Sequence, residues 1–182
     1  MFTPGDREFL NKNSGCDVLT FAPEEKIDML RQLRQIDFGT EEMASNYQDI
    51  DWFEFDCVTV LLKGSDVLGF SSVWHRPEYY GQGEVRILNR YWEHPSLRMN
   101  GRIIARPHLV ATVQHQLAFA RQAGYKRAFI SRSRNPGFMK RLFAELAKKT
   151  NTEWKMHDSK VAVCDPKNEL CWQYKGIYEI KD

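Results

Sequence analysis

The sequence has no run of about 18 apolar residues, and no basic segment followed by an apolar one near its start. The first absence argues against a membrane-spanning helix and the second against a secretory signal peptide. We therefore expect a cytoplasmic protein without membrane association. The four cysteines form no CxxC pair. Cys164 and Cys171 face each other across a predicted hairpin and could form a disulfide, but an intracellular chain favours reduced thiols.

Several catalytic signatures are also missing. The sequence has no P-loop, no GxSxG and no HExxH pattern, which argues against the enzyme classes that these motifs mark. The five histidines show no paired ligand spacing and the cysteines add none, so no metal site is predicted. A GxG occurs at Gly81-Gln82-Gly83, but it lacks a third glycine and a following helix. It indicates a hinge between strands.

The composition is that of a globular protein with a sizeable core. The chain has 182 residues, of which 42% are hydrophobic and 13% aromatic. A chain of this length normally forms one domain, so we predict a single domain over residues 1–182. The net charge is only +2, yet residues 1–60 carry 13 acidic and 5 basic side chains. The remainder is correspondingly basic.

The basic character is concentrated in residues 86–149, where 14 basic residues stand against Glu93 and Glu145. Such a concentration of positive charge attracts a polyanion, either a nucleotide-bearing cofactor or a nucleic acid. The alternative is that these residues form a solvent-exposed face without a ligand. Aromatic residues near the arginines, such as Tyr91 and Trp92, would suit a single strand. No helix-turn-helix, RRM or zinc-finger pattern occurs, so nucleic acid binding is not favoured.

The hydrophobic pattern predicts strands interrupted by helices. The helices begin at proline or behind a capping residue, and Gly124 ends one of them. The predicted strands are 18–22, 57–62, 67–74, 84–92, 127–131, 160–164 and 170–179, and the predicted helices are 23–36, 40–48, 107–123 and 136–149. A flexible loop is predicted at 79–83.

The strand–helix–strand step from residue 84 to residue 131 predicts a parallel strand pair, because a helical crossover joins parallel neighbours. The other strands follow each other through short turns and are expected to be antiparallel. The sequence thus predicts an α/β (α+β) fold with a mixed, mostly antiparallel sheet of six or seven strands and helices on both faces.

This order of elements, from about residue 16 to residue 180, resembles the GCN5-related N-acetyltransferase (GNAT) family. The resemblance implies an acyl-CoA N-acyltransferase that holds acetyl-CoA, or another acyl-CoA, between the fourth strand and the helix that follows it. The family's diphosphate loop has the form Gln/Arg-x-x-Gly-x-Gly/Ala. Here Arg98 and Gly101 match it, and Ile103 does not. The cofactor-binding residues so implied are Tyr91, Trp92, Arg98, Gly101, Arg102 and Asn135.

In the family's motif after the fifth strand, Asn135 matches the asparagine, whereas Phe138 and Leu142 replace the alanine and the tyrosine. That tyrosine commonly acts as the general acid. The alternative explanation of Asn135, and the favoured one, is a helix cap. Catalysis also needs a base, and the nearest carboxylates are Glu84 and Glu93, for which a surface position is otherwise expected.

Further candidates are Tyr174 as a replacement acid and the loop histidines His94 and His108. The favoured function is acyl transfer from acyl-CoA to an amine of a small molecule or peptide. The alternative is a catalytically inactive GNAT-like domain that binds nucleic acid, protein or another anionic ligand. The outer edge of the terminal hairpin could pair with a second copy in a homodimer.

Overall fold

The structure, a computed structural model, describes residues 15–41, 44, 47, 49–97, 104–132, 135–164 and 170–181. Eight strands occur within these ranges. They are β1 (Asp17–Phe21), β2 (Cys57–Lys63), β3 (Asp66–Trp74), β4 (Glu84–Glu93), β5 (Arg127–Arg132), β6 (Trp154–Met156), β7 (Val161–Cys164) and β8 (Leu170–Glu179). The strand order is β1-β2-β3-β4-β5-β8-β6, and β7 also pairs with β8.

The described α-helices are α1 (Ile27–Arg34), α2 (Pro77–Tyr80), α3 (Pro107–Gln122) and α4 (Pro136–Thr150). Proline stands in the first turn of α2, α3 and α4, where its missing N–H costs no hydrogen bond. The Asn135 side chain accepts a hydrogen bond from the backbone N–H of Phe138, which confirms the predicted cap of α4. Short 3₁₀ turns lie at Pro23–Glu25, Trp52–Glu54 and Pro95–Leu97.

The sheet is antiparallel throughout except that β4 and β5 are parallel. The helix α3 makes the connection between these two strands, as predicted from the crossover. The predicted mixed, mostly antiparallel α/β fold is confirmed.

Adjacent residues of each strand point to opposite faces of the sheet. Val73 faces a core built with α3 and α4, whereas Trp74 faces a second core that contains α1. We call these the α3/α4 face and the α1 face. The α1 face is rich in aromatic rings: Trp52 meets Phe70 edge-on, and Phe70 is stacked on Trp92.

Some predicted boundaries were wrong. The strand β6 was not predicted, because three residues are too few to show a period, and the sheet has eight strands within the described residues rather than six or seven. The first helix begins as a 3₁₀ turn at Pro23 and becomes α-helical only at Ile27. Residues 77–80 form a helical turn at the start of the predicted loop. The predicted helix at 40–48 lies largely outside the described residues.

The described helices include none with the length and apolar character needed to cross a membrane. Cys16 and Cys57 are buried. Burial raises the pKa of the Cys57 thiol well above its ordinary value, which makes it an inert core residue. The side chains of Cys164 and Cys171 lie outside the described set.

Candidate active site

The strands β4 and β5 separate in the middle of the sheet. They pair in parallel only from Glu84 with Arg127 to Arg86 with Phe129, although β4 continues to Glu93 and β5 to Arg132. The opening between the two diverging strand ends is called the split below. Backbone groups that face the split need partners other than the opposite strand. A ligand with amide groups can supply them.

The strand β4 is irregular where the split begins. Its register against β3 shifts twice between Arg86 and Trp92, as expected for bulges. Leu88 and Arg90 have φ angles of 50° and 51°, in the left-handed region that side chains other than glycine rarely adopt. Such residues cost about 1–3 kcal/mol each and cluster at functional sites. The strain thus marks this part of β4 as a candidate site.

Side chains from neighbouring elements hold the bulged backbone in place. The N–H of Leu88 donates to Oε1 of the fully buried Gln116 on α3, over 2.8 Å. The carbonyl of Asn89 accepts from the hydroxyls of Ser71 and Ser72, each over 3.2 Å. Because these partners are buried, the bulge is a fixed feature of the fold.

Arg132, the last residue of β5, reaches across the split. Its Nη2 lies 3.5 Å from the carbonyl oxygen of Leu88, and its guanidinium carbon lies 5.6 Å from the centre of the Tyr91 ring. The first contact is a weak hydrogen bond by its length, and the second is a cation–π contact. A positive charge therefore stands between the diverging strands on the α3/α4 face.

Glu93, a predicted catalytic residue at the end of β4, lies in a buried polar cluster. It is 8% exposed, so the expected surface position was wrong. Its carboxylate accepts from Arg106 and from Nε2 of His108, and over 2.9 Å from the Tyr91 hydroxyl. His108 was predicted as a loop histidine, but it is 3% exposed and lies in the first turn of α3. Three donors satisfy the carboxylate and allow it to be buried.

Burial and neighbouring charges change the pKa values of the Glu93 carboxyl and the Tyr91 phenol. Burial acts to raise the pKa of the Glu93 carboxyl, but the hydrogen bonds and charges of His108, Tyr91 and Arg106 outweigh it and hold the pKa below its usual value. Burial, followed by the Glu93 charge, raises the pKa of the Tyr91 phenol well above its ordinary value. The cluster therefore contains an ionised carboxylate and a neutral phenol near pH 7.

Glu84, the other predicted carboxylate, lies at the closed end of the split. It is 5% exposed rather than on the surface, because it pairs with Lys175 on β8 and lies 3.7 Å from Nε of Arg127. Nearby, Nη2 of Arg86 lies 3.3 Å from Oε1 of Gln173. These polar groups lie on the α1 face, opposite the Glu93 cluster. The two carboxylates are thus ion-paired and on different faces of the sheet.

The structure places the remaining predicted residues as follows. The Trp92 side chain packs in the core of the α1 face and lines a cavity of about 450 Å³ beside His94. Tyr174 pairs with Arg132 across β8 and β5, so it lies at the open end of the split. Asn135 is exposed and caps α4. The loop residues Arg98, Gly101 and Arg102 lie outside the described residues.

The segment that leads into α3 is attached to α4. Glu145 accepts from the N–H groups of Ile104 and Ala105 over 3.0 and 2.7 Å, and Lys149 donates to the carbonyl of Ala105 over 2.6 Å. Among the residues that the structure describes, no side chain caps the start of α3, where Arg106 is the N-cap residue, and the first turn contains no acidic residue. An uncapped N-terminus of a long helix suits an anion.

The predicted site residues did not include Arg132, Arg106 or Glu145. Arg132 and Glu145 were counted only within the basic window, and Arg106 only as a phosphate contact in series with Arg98 and Arg102. The contacts of each span 13 to 44 residues of chain. One signal was present in the sequence: Glu93 and Glu145 are the two acidic residues in the basic window. An isolated carboxylate among cations is expected to be paired.

No family model and no curated protein matches this sequence. Solved structures do match in fold. A CoA-dependent acyl-homoserine lactone synthase, solved with SAM and isopentyl-CoA, is 12% identical, with 92% of this chain and 84% of that chain covered at a TM-score of 0.57. A Lactobacillus plantarum protein assigned as an N-acetyltransferase is 13% identical, with coverages of 91% and 99% and a TM-score of 0.56.

A third match is the diaminobutyrate acetyltransferase of Paenibacillus lautus, solved with its substrate and coenzyme A. It is 14% identical, with coverages of 92% and 99% and a TM-score of 0.50. At these identities the matches establish the fold alone. The chain therefore has the fold of the GCN5-related N-acetyltransferases, as the order of its predicted elements indicated.

Proposed function

We propose that this chain is an acyl-CoA-dependent N-acyltransferase, which transfers an acetyl or other acyl group to an amine. The observation that carries the proposal is the split between β4 and β5, which begins beside a strained, doubly bulged stretch of β4. The pantetheine arm of coenzyme A is a chain of amides, so it can pair with strand edges as a further strand would. Several structural neighbours are named as enzymes that use CoA.

The helix α3 offers a site for the diphosphate of the cofactor. Its N-terminus, which no described side chain caps, comes shortly after Arg98, Gly101 and Arg102 in the sequence, and we propose these three residues as diphosphate contacts. Glu145 already occupies the N–H groups of Ile104 and Ala105. Those two donors are therefore not part of the proposed diphosphate site.

The acceptor amine is proposed to enter from the α1 face. Two buried polar atoms flank the split there, Oδ1 of Asn89 and Oγ of Ser131, and neither has a hydrogen-bond partner within the described residues. Buried polar atoms are almost always hydrogen-bonded, so two such atoms without partners indicate a ligand that binds them. An amine can donate to both atoms and so be held at the thioester carbon.

Glu84, Glu93 and Tyr174 have different proposed roles. Glu93 holds Arg106 and His108 at the start of α3, which is a positioning role rather than that of a base. Glu84 is held by Lys175 at the closed end of the split. Since both carboxylates are ion-paired, we propose that the proton of the amine passes to solvent. Tyr174, at the open end of the split, remains a candidate acid.

The first experiment is a calorimetric titration of the protein with acetyl-CoA. We expect saturable binding, because the split and the start of α3 together offer sites for the amides and the diphosphate. Arg98→Ala combined with Arg102→Ala should weaken binding at least tenfold, since each charge-assisted hydrogen bond contributes about 1.5–3 kcal/mol. The control is Arg31→Ala with Arg34→Ala, which removes the same charge from α1. No heat at high micromolar acetyl-CoA would rule out the transferase.

A second candidate function is an inactive GNAT-like domain that binds an anionic partner. The ion pairing of both Glu84 and Glu93 favours it, because neither carboxylate is available as a base. Retention on single-stranded DNA should then fall steeply with salt, because contacts to phosphates release counterions. Retention that does not change with salt would exclude this alternative.

A further inference from the structure

Acyl transfer from a thioester expels a sulfur anion, and the site must stabilise it. The bond from the amine nitrogen to the acyl carbon forms, the carbon–sulfur bond breaks, and its electron pair remains on the sulfur of coenzyme A. The resemblance to GNAT enzymes implies a tyrosine as the acid for this step, at position 142. Here Leu142 stands at that position and is 3% exposed within the apolar core. Another group must stabilise the sulfur.

The polar groups around the split differ in their suitability. The Tyr91 hydroxyl donates to Glu93, which commits its proton to a carboxylate. Lys175 pairs with Glu84 and lies on the α1 face, away from the α3/α4 face where position 142 lies. Arg132 lies on the α3/α4 face at the open end of the split, where its guanidinium reaches the Leu88 carbonyl and the Tyr91 ring. Tyr174 lies beside it on β8.

We infer that the guanidinium of Arg132 binds the leaving sulfur of coenzyme A as a thiolate. This inference rests on the proposed acyl transfer. Arg132 bridges the split through a weak contact to the Leu88 carbonyl, so a ligand in the split must pass its guanidinium. An arginine does not give up its proton, and it stabilises the thiolate by charge and hydrogen bonding. The amine proton passes to solvent, and the thiolate leaves as an anion.

This assignment is testable without knowledge of the acceptor amine. A fixed cation beside a thiol lowers the pKa of that thiol, so it strengthens the binding of the thiolate form. The probes are coenzyme A and desulfo-coenzyme A, which lacks only the sulfur. Their dissociation constants are measured by calorimetry from neutral to alkaline pH for the wild type, Arg132→Met, Arg132→Lys and Tyr174→Phe.

In the wild type, the ratio of the affinity for coenzyme A to that for desulfo-coenzyme A should rise with pH. The rise should be about tenfold for each unit by which binding lowers the pKa of the thiol. Arg132→Met should abolish this rise and leave binding of desulfo-coenzyme A nearly unchanged, whereas Arg132→Lys should retain part of it. The control is Arg121→Met, an exposed arginine near the end of α3.

The outcomes separate the inference from the function on which it rests. Failure of the wild type to bind either probe removes the proposed transferase. Binding of both probes with a pH-independent affinity ratio overturns only the role of Arg132. If Tyr174→Phe loses the pH-dependent rise in affinity for coenzyme A and Arg132→Met keeps it, the group that stabilises the sulfur is Tyr174 instead. If Arg132→Met binds neither probe, the wild-type ratio and Arg132→Lys still decide the question.

Discussion

Replacement of Glu93 by glutamine is expected to lower the free energy of unfolding by about 3 kcal/mol, the lower end of the cost of breaking a buried ion pair. Glu93 accepts from Arg106, His108 and Tyr91, and an amide can satisfy these donors only in part. The Arg106 guanidinium then loses its counter-charge. Chemical denaturation of the wild type and Glu93→Gln measures the difference. Under the proposed function, affinity for acetyl-CoA also falls, because α3 begins at these residues.

The matched control is Glu24→Gln, since Glu24 is an exposed carboxylate in the turn before α1, and a change within about 0.5 kcal/mol is expected. The pH dependence gives a second readout. The pKa of Glu93 is lowered in the folded state, so its stabilisation is fully present above the unfolded pKa and is lost as pH falls through the folded pKa. Acid destabilisation should be shallower in Glu93→Gln. If stability falls equally steeply with decreasing pH in the wild type and in Glu93→Gln, the ion pairing of Glu93 is contradicted.

Substitution of Gly176 by alanine is expected to lower the free energy of unfolding by about 1–3 kcal/mol or more. This is the usual cost of overpacking a core. A methyl group at Gly176 on β8 would lie closer than van der Waals contact to three carbons of the Phe143 ring. The ring cannot easily move away, because it is stacked on Trp154 with centroids 5.4 Å apart. Thermal and denaturant unfolding of Gly176→Ala test this.

A second substitution distinguishes this clash from a general effect of alanine. Phe143→Leu shortens the side chain that meets the new methyl, so the double variant should lose less stability than the sum of the two single variants. Gly137→Ala is the control, because Gly137 lies exposed in the first turn of α4, where alanine is tolerated or stabilising by up to about 1 kcal/mol. Additive losses would show that Phe143 is not the obstacle.

Local patterns were enough to predict most of the architecture. The cap at Asn135, the prolines that begin α3 and α4, and the hairpin of β2 and β3 each depend on residues within a few positions of one another. The parallel pairing of β4 and β5 followed from the crossover rule. Such features are readable because hydrophobic period, capping and turn chemistry act over short stretches of chain.

The candidate active site could be predicted from the sequence only in part. Residues 84–92 have the composition of a regular strand, and nothing local marks Leu88 or Arg90 for a positive φ. The irregularity arises where Gln116, Ser71 and Ser72 bind the β4 backbone from other elements. Glu84 was expected on the surface because its partner Lys175 is 91 residues away. Burial of a charge depends on such a partner, which sequence proximity does not reveal.

Short-range patterns repeated along the chain were enough to predict the order of the elements, apart from β6, and the resemblance to the GNAT fold. The place where the central strands diverge, the pairing of the carboxylates and the cation in the split became visible in the folded chain alone, because they depend on contacts between strands and helices that are distant in sequence. Three arginines of the basic window have individual partners among the described residues: Arg106 with Glu93, Arg127 with Glu84, and Arg132 with the Leu88 carbonyl across the split.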